Sequence, residues 1–321
     1  AFRVVAYRPF CKQWLYADSS LVDYPGIHPA AFPYAGAKNI ELAISGIGAP
    51  YPFSVLAFDE IPALTPYAGN GQCFPLYWYE KASDDDGTLF SGDGAVDEHG
   101  YIRHDAITDT GLAVFRTAYP NQRITKEDIF YYVYGVLHSP EYRRRFANNL
   151  KKELPRIPLA KDFKAFMQAG RALADLHLNY ETVDRYPVEE IGDASNPGRT
   201  EKMSYPNKIK DPETGKKTSD YTVLKVADNL IIRGIPLRAY EYVVNGKSAL
   251  GWLIDRYQVR ADKKSGIVND PNDYSDDPRY IVDLVERVIT VSLKTLDIIG
   301  ALPALEAVSY THLRAHETDQ Y

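Results

Sequence analysis

The side chains in this sequence that could transfer protons, attack as nucleophiles or bind metals are its histidines, two cysteines and several runs of carboxylates. His28, His99, His104, His138 and His177 include no pair at the i, i+4 spacing of a helical zinc site. His99 and His104 flank a loop near Asp97, Glu98 and Asp105, an unspecific cluster, and His138 ends a predicted helix whose dipole a cation complements. Cys11 and Cys73 carry no nucleophile motif and are too few for a disulfide framework or a four-cysteine zinc site. Asp84-Asp85-Asp86, Glu189-Glu190 and Asp276-Asp277 lie in polar stretches where solvated charge accounts for them. Pro140-Glu141 with Asp162-Phe163-Lys164 is the nearest approach to the acidic and Glu-x-Lys pattern of a restriction-type nuclease. Both parts fall on predicted helices, and Glu141 already serves a helical first turn. Ser45-Gly46-Ile47-Gly48 lacks the third glycine and the following helix of a dinucleotide loop, because Pro50 and Pro52 intervene. Neither a phosphate-binding Gly-x-x-x-x-Gly-Lys-Ser/Thr nor a Gly-x-Ser-x-Gly elbow occurs. No catalytic centre and no metal site is visible.

What remains is charge suited to binding. The chain has 37 Lys+Arg against 43 Asp+Glu, a formal net charge of −6, which argues against wholesale coating of a polyanion. The distribution is uneven: residues 1–99 hold 5 basic and 12 acidic side chains, whereas residues 143–164 hold 8 against 2 and residues 199–238 hold 9 against 5. Ordinary solvated surface accounts for both islands as well as a polyanion does; for the polyanion, Arg143, Arg144, Arg145, Lys208, Lys210, Lys216 and Lys217 are the candidates for phosphate contact. Asn196, Arg199, Lys202 and Asn207 are the candidates for base edges, in a segment of loop and β-ribbon that also holds Tyr205.

The elements that must position these groups follow an order of strands, helices, strands and helices, which predicts an α+β fold. Val4–Tyr7, Trp14–Tyr16, Ile40–Ile44 and Phe53–Phe58 read as strands between turn signals, and Asp84–Asp97 as a polar loop. Thr125-Lys126-Glu127-Asp128 has the form of a capping box, followed by Ile129, Tyr132, Val133, Val136 and Leu137 on one helical face. Ser139-Pro140-Glu141 restarts a helix expected to carry both Arg143–Arg145 and Lys151–Lys152, with Tyr142, Phe146 and Leu150 inward. Another helix is expected over Lys161–Leu178. Tyr221–Val226 and Leu230–Arg233 read as a hairpin and Asn245-Gly246 as a turn. A helix follows on Ala249, Trp252, Leu253 and Tyr257, and a closing helix of about twenty residues is expected on Ile281, Leu284, Val285 and Val288.

The absence of any run of about 18 apolar residues predicts no membrane helix, and the cysteine usage fits a reducing cytoplasm. The start, without Met or a secretory pattern, reads as a piece of a longer chain. Val308 to Thr318 reads VSYTHLRAHET, which resembles one reading frame of a sequencing-library adapter. Residues 308–321, with His312 and His316, are therefore set aside from the fold.

Several long segments resemble one known family. Ile129-Phe130-Tyr131-Tyr132-Val133-Tyr134-Gly135-Val136-Leu137-His138-Ser139-Pro140-Glu141-Tyr142-Arg143, running on to Phe146, Leu150 and Leu154-Pro155-Arg156-Ile157-Pro158, is similar to a block of large bacterial adenine-N6 DNA methyltransferases fused to restriction activity. Tyr7-Arg8-Pro9-Phe10 with Trp14-Leu15-Tyr16, and Gln72-Cys73-Phe74-Pro75-Leu76-Tyr77, resemble the type I single-polypeptide (type ISP) restriction-modification enzymes. So does Tyr242-Val243-Val244-Asn245-Gly246-Lys247-Ser248 through Trp252, Asp255-Arg256-Tyr257 and Ser265-Gly266-Ile267.

The resemblance implies the C-terminal DNA specificity domain, with double-stranded DNA as partner. Nuclease, helicase-type ATPase and aminomethyltransferase modules would then lie elsewhere on the parent chain. S-adenosylmethionine, ATP and Mg2+ are implied for that parent and no cofactor for this piece, which lacks Phe-x-Gly-x-Gly, Asn-Pro-Pro-Tyr and Walker motifs. The expected organisation is a β-rich part over 1–100 adjoining the methyltransferase, a helical core over 101–190 and an α/β recognition part over 191–306. Two other readings stay open: a stand-alone glycoside hydrolase using paired carboxylates, and a structural module packing on a methyltransferase.

Overall fold

The structure, a computed structural model, describes residues 2–18, 28–63, 71–82, 95–210, 213 and 215–308. Most of the expected Asp84–Asp97 loop and the terminal string beyond residue 308 lie outside them. In chain order the elements are β1 (Phe2–Arg8), β2 (Cys11–Tyr16), α1 (His28–Ala31), β3 (Glu41–Ile44), β4 (Val55–Phe58), β5 (Ile61–Pro62), β6 (Gln72–Pro75), β7 (Tyr77–Lys81) and β8 (Tyr101–Asp105). Then come α2 (Asp109–Ala118), α3 (Lys126–His138), α4 (Pro140–Arg145), α5 (Phe163–Leu178), β9 (Glu189–Gly192), β10 (Lys208–Lys210), β11 (Lys217–Ser219), β12 (Val223–Ala227) and β13 (Leu230–Arg233). The chain closes with β14 (Val243–Val244), β15 (Lys247–Ser248), α6 (Ala249–Arg256), β16 (Arg260–Ala261), β17 (Val268–Asn269) and α7 (Tyr280–Gly300). Small sheets and helices alternate without a βαβ repeat, an α+β fold with a long closing helix.

The chain divides into two compact units built from interleaved segments. One comprises Ala1–Val22, Glu60–Gly71 and Asp175–Asp297, and the other Asp23–Asp59, Gln72–Ala174 and Ile298–Tyr321. Each draws on residues from both sides of positions 100 and 190.

In the first unit, β2, β1 and β5 form one sheet and β12, β13 and β9 another. The hairpin expected near Ala227-Asp228-Asn229 is present, with Leu224 opposite Ile232. Phe10 closes the β1–β2 turn at φ 58, a left-handed conformation that strains a residue with a Cβ. Its burial offsets the strain: the ring meets the edges of Tyr180 at 5.4 Å and Tyr242 at 6.4 Å. The expected α7 stripe of Ile281, Leu284, Val285 and Val288 lies inward, joined by Ile289. His177 is buried, with Nε2 2.9 Å from Thr295 Oγ1 and its ring stacked on Tyr242.

The second unit sets the sheet β4–β3–β6 and the hairpin β7–β8 among α2, α3 and α4 and the first turns of α5. The capping box is formed as expected: Thr125 Oγ1 accepts from Asp128 N, and the Asp128 carboxylate accepts from Thr125 N. Tyr132 is fully buried, donates its hydroxyl to Pro158 O at 2.5 Å and accepts from Ala160 N at 2.7 Å. At the crossing of α3 and α5 the backbones touch. A Cβ on Gly135 would lie 2.1 Å from Phe166 O, and one on Gly170 1.8 Å from Tyr131 O.

Two local expectations change. The helix begun by Ser139 and Pro140 ends at Arg145 instead of continuing to Lys151–Lys152, which follow in turns. Asn148 and Asn149 favour turn conformations over a helix interior, and Asn149 spends its side chain on Glu153 Oε1 at 2.9 Å. Helix α2, capped by Thr108, was not anticipated, and none of its residues is buried.

Candidate nucleic-acid interface

Strands β10 and β11 pair antiparallel, with Lys208 opposite Ser219, Ile209 opposite Thr218 and Lys210 opposite Lys217. Alternation along a strand therefore sends Lys208, Lys210 and Lys217 to one face and Ile209 with Thr218 to the other. Every residue of the two strands is exposed except the half-buried Ser219, so neither face rests on the body of the protein. Lys208 Nζ donates to Ser219 Oγ across the ribbon at 2.7 Å, whereas Lys210 and Lys217 set like charges directly opposite each other. Such a pair destabilises a ribbon unless an anion joins it. Lys216, also exposed, immediately precedes β11.

The foot of the ribbon is fixed. Asp220 N donates to Asn207 O at 3.0 Å, and the Asp220 carboxylate accepts from Thr222 N and Oγ1. Tyr205 and Tyr221, just outside the two strands, meet edge to face at 4.7 Å, and Tyr240 closes the cluster by donating to Tyr221 O. Ser204 and Lys225 exchange backbone hydrogen bonds, tying the entering arm to β12. Asn207 thus sits exposed at the root of the ribbon.

The loop that carries the other candidates is equally anchored. Asp193 accepts from Ser195 N, Ser195 Oγ and Asn196 N, which holds Asn196 exposed at its crest. Asp228 N and Asn229 N donate to Arg199 O and Pro197 O, stapling the loop to the β12–β13 turn. The Arg199 guanidinium binds Asp270 and Glu201, and these carboxylates, Asp270 first, raise its pKa. Arg199 thus braces the loop, and the candidates Lys202 and Asn196 are exposed on it.

The arginine cluster divides similarly. Arg143 is half-buried: its Nε donates to Leu137 O at 2.7 Å, at the C-terminal end of α3, and its guanidinium lies 5.9 Å from the Phe53 ring. Arg144 and Arg145 are exposed, the latter 5.6 Å from the Phe146 ring. This cluster belongs to the second unit, and the ribbon and its loop to the first.

Besides the lysine pair below, a cluster around Asp255 escaped sequence reading. Lys263 and Lys264 are exposed on the β16–β17 turn, where Asp262 accepts from Lys264 N and Ser265 N. The Asp-Lys-Lys-Ser-Gly string was their signal. In the Asp255 cluster, Lys247, Arg256 and Arg260 converge on that carboxylate. Burial alone would raise that carboxyl, but hydrogen bonds from Lys247 and Arg256 hold it far below the ordinary carboxylate range.

The chemically reactive residues have structural duties. Burial pushes the Cys11 thiol up to about 12, and burial with the Glu41 carboxylate does the same to Cys73, so neither is a ready thiolate. His104 stacks on Trp78 at 4.2 Å and His99 lies 3.9 Å from the Tyr34 ring. Glu190 and Glu286 are a close carboxylate pair, and burial followed by the hydrogen bond with Glu190 raises Glu286 to about 8. Glu286 is only 3% exposed and Glu190 is gripped by both terminal nitrogens of Arg279, so no sugar could lie between them. The cavity of about 410 Å³ lined by Tyr142, Phe146, Leu150 and Leu305 holds one acid, Glu153, which pairs with Arg156. Neither place suits glycoside chemistry.

The sequence model of the Type ISP C-terminal specificity domain matches residues 1–284. Among solved structures, a nuclease-deletion mutant of the Type ISP restriction-modification enzyme LlaGI in complex with a DNA substrate mimic is 36% identical over 96% of this chain, with a TM-score of 0.78. The ATP-dependent Type ISP restriction-modification enzyme LlaBIII, bound to DNA, is 34% identical over 96%, with a TM-score of 0.82. A DrdV–DNA complex is 30% identical over 95%, with a TM-score of 0.77. The chain spans 25%, 18% and 28% of those three proteins, respectively. No curated protein matches it. A family match over residues 1–284, joined to one fold shared at 30–36% identity, establishes that the chain belongs to the Type ISP C-terminal specificity domain family.

Proposed function

We propose that this chain recognises a specific sequence in double-stranded DNA, as the specificity part of a bacterial restriction-modification enzyme that methylates adenine N6 and cleaves unmodified DNA. The observation that carries the reading is the β10–β11 ribbon, which projects Lys208, Lys210 and Lys217 on one exposed face with two of them opposed. A phosphate between Lys210 and Lys217 turns their repulsion into a binding contribution. Lys216, Arg144 and Arg145 add phosphate contacts, which supply affinity and salt sensitivity. Asn196, Lys202 and Asn207 stand on anchored backbone from which side chains reach base edges, Asn to adenine and Lys to guanine. Arg143 and Arg199 hold their neighbours in position.

On this reading the target adenine is placed for a methyltransferase module of the parent chain to flip out. That module would use S-adenosylmethionine, and the helicase and nuclease modules ATP and Mg2+. This chain itself supplies recognition and no cofactor site. Such an enzyme works in the cytoplasm, and among the described residues no helix is long and apolar enough to cross a membrane.

The test is selection of duplexes from a random library by the 321-residue chain at two salt concentrations, with sequencing of the retained DNA. One short enriched motif, with binding that weakens steeply in the higher salt, is the expected result. Salt-sensitive binding without enrichment would reduce the chain to a phosphate clamp, and no binding at low salt would favour the structural-module reading.

A further inference from the structure

Ile209 is 52% exposed, although it is the one apolar side chain of its strand. Its cross-strand partner is Thr218, also exposed, so the two side chains emerge together, with Cβ atoms about 5 Å apart on the face opposite the lysines. An isolated two-stranded ribbon is marginal in water, and a bare isoleucine at its centre adds nothing to its stability. A hydrophobic side chain standing clear of the body on a cationic ribbon is therefore suited to a polyanion that also offers an apolar contact. Duplex DNA has one such feature in unmodified sequence, the C5-methyl of thymine in the major groove, whose width of about 12 Å admits a two-stranded ribbon. The phosphates that line that groove on both sides lie within reach of long lysine stems on the ribbon's other face.

Building on the DNA-recognition reading above, we propose that Ile209 and Thr218 form a specificity face that reads a thymine methyl in the major groove. Neither residue has a hydrogen-bonding obligation to the protein body, and both can be cut back without opening a core. The lysine face fixes the ribbon on the backbone, and the Ile209–Thr218 face supplies the base choice. Ile209 packs against the methyl, and Thr218 offers its own methyl beside a hydroxyl able to bond a base edge.

The experiment takes the motif selected by the full chain and replaces each thymine in turn by deoxyuridine, which removes one methyl group and leaves pairing intact. At one position or at two adjacent ones, binding by the wild-type chain should weaken about fourfold, as expected for one methyl group returned to water. Ile209→Ala should abolish that thymine–uracil difference while keeping the rest of the motif. Lys210→Gln should weaken both duplexes and preserve the difference. Thermal denaturation of each variant separates a reading defect from misfolding, and Ile209→Val should retain part of the discrimination. A selected motif indifferent to every uracil, or an Ile209→Ala chain with unchanged discrimination, would overturn the inference while leaving DNA recognition standing. The second result would point to a protein surface as the partner of this face. Failure to select any motif would overturn both.

Discussion

Lys210 and Lys217 are held opposite each other by the register of the ribbon, so their charges oppose folding and, on the proposed reading, favour binding to DNA. Replacing either by Gln should leave the melting temperature unchanged or slightly raised. The same change should weaken DNA binding about threefold to tenfold for all sequences alike and lower the salt slope by about one. Titrations at several salt concentrations, with a melting curve for each variant, check both halves. Glu286 gives a second expectation at this scale. Burial first, and then the hydrogen bond with the Glu190 carboxylate, raise its carboxyl from 4.5 to about 8. Between those values the folded chain binds the proton that the unfolded chain releases. Stability attached to Glu286 is thus complete below about pH 4.5 and is lost as pH rises towards 8. Glu286→Gln, which copies the neutral form, should flatten the fall in melting temperature across that window.

Helices and strands were legible where the signal was local. The Thr125 capping box, the β12–β13 hairpin, the Asn245-Gly246 turn with both φ angles positive, and the α7 stripe all follow from spacing within a few residues. The roles of particular side chains were less legible, because they depend on partners far along the chain. That Asp270 pairs with the candidate Arg199, or that Phe166 O lies beside Gly135, cannot be read from the neighbouring residues. Nothing in the neighbouring residues of Ile209 shows that it stands exposed. The α3–α5 crossing yields the expectation proper to this scale. Gly135→Ala or Gly170→Ala drives a methyl group into backbone that cannot rotate away. Either should cost about 3 kcal/mol or more, measured by chemical denaturation, because helices that touch through their backbones must separate to admit it.

At the scale of the whole molecule the interleaved segments matter most. The first unit needs β1 and β2 from one stretch, β5 from a second and everything from the end of α5 to α7 from a third. A fragment of residues 191–306 contains the ribbon and its anchored loop, yet lacks Phe10 and His177, which pack on Tyr242, and Tyr180, which packs on Phe10. It should therefore show little protection from limited proteolysis and no sigmoidal melt, in contrast to the 321-residue chain. The ribbon itself is different. Its two ends meet where Asp220 N donates to Asn207 O at 3.0 Å, over a foot already clamped by Tyr205 and Tyr221. Residues 208–219 can therefore be exchanged as a cassette with the matching segment of a relative, the scaffold closing behind the graft. Recombination across that short interval would let such proteins acquire new target preferences without rebuilding the frame that displays them.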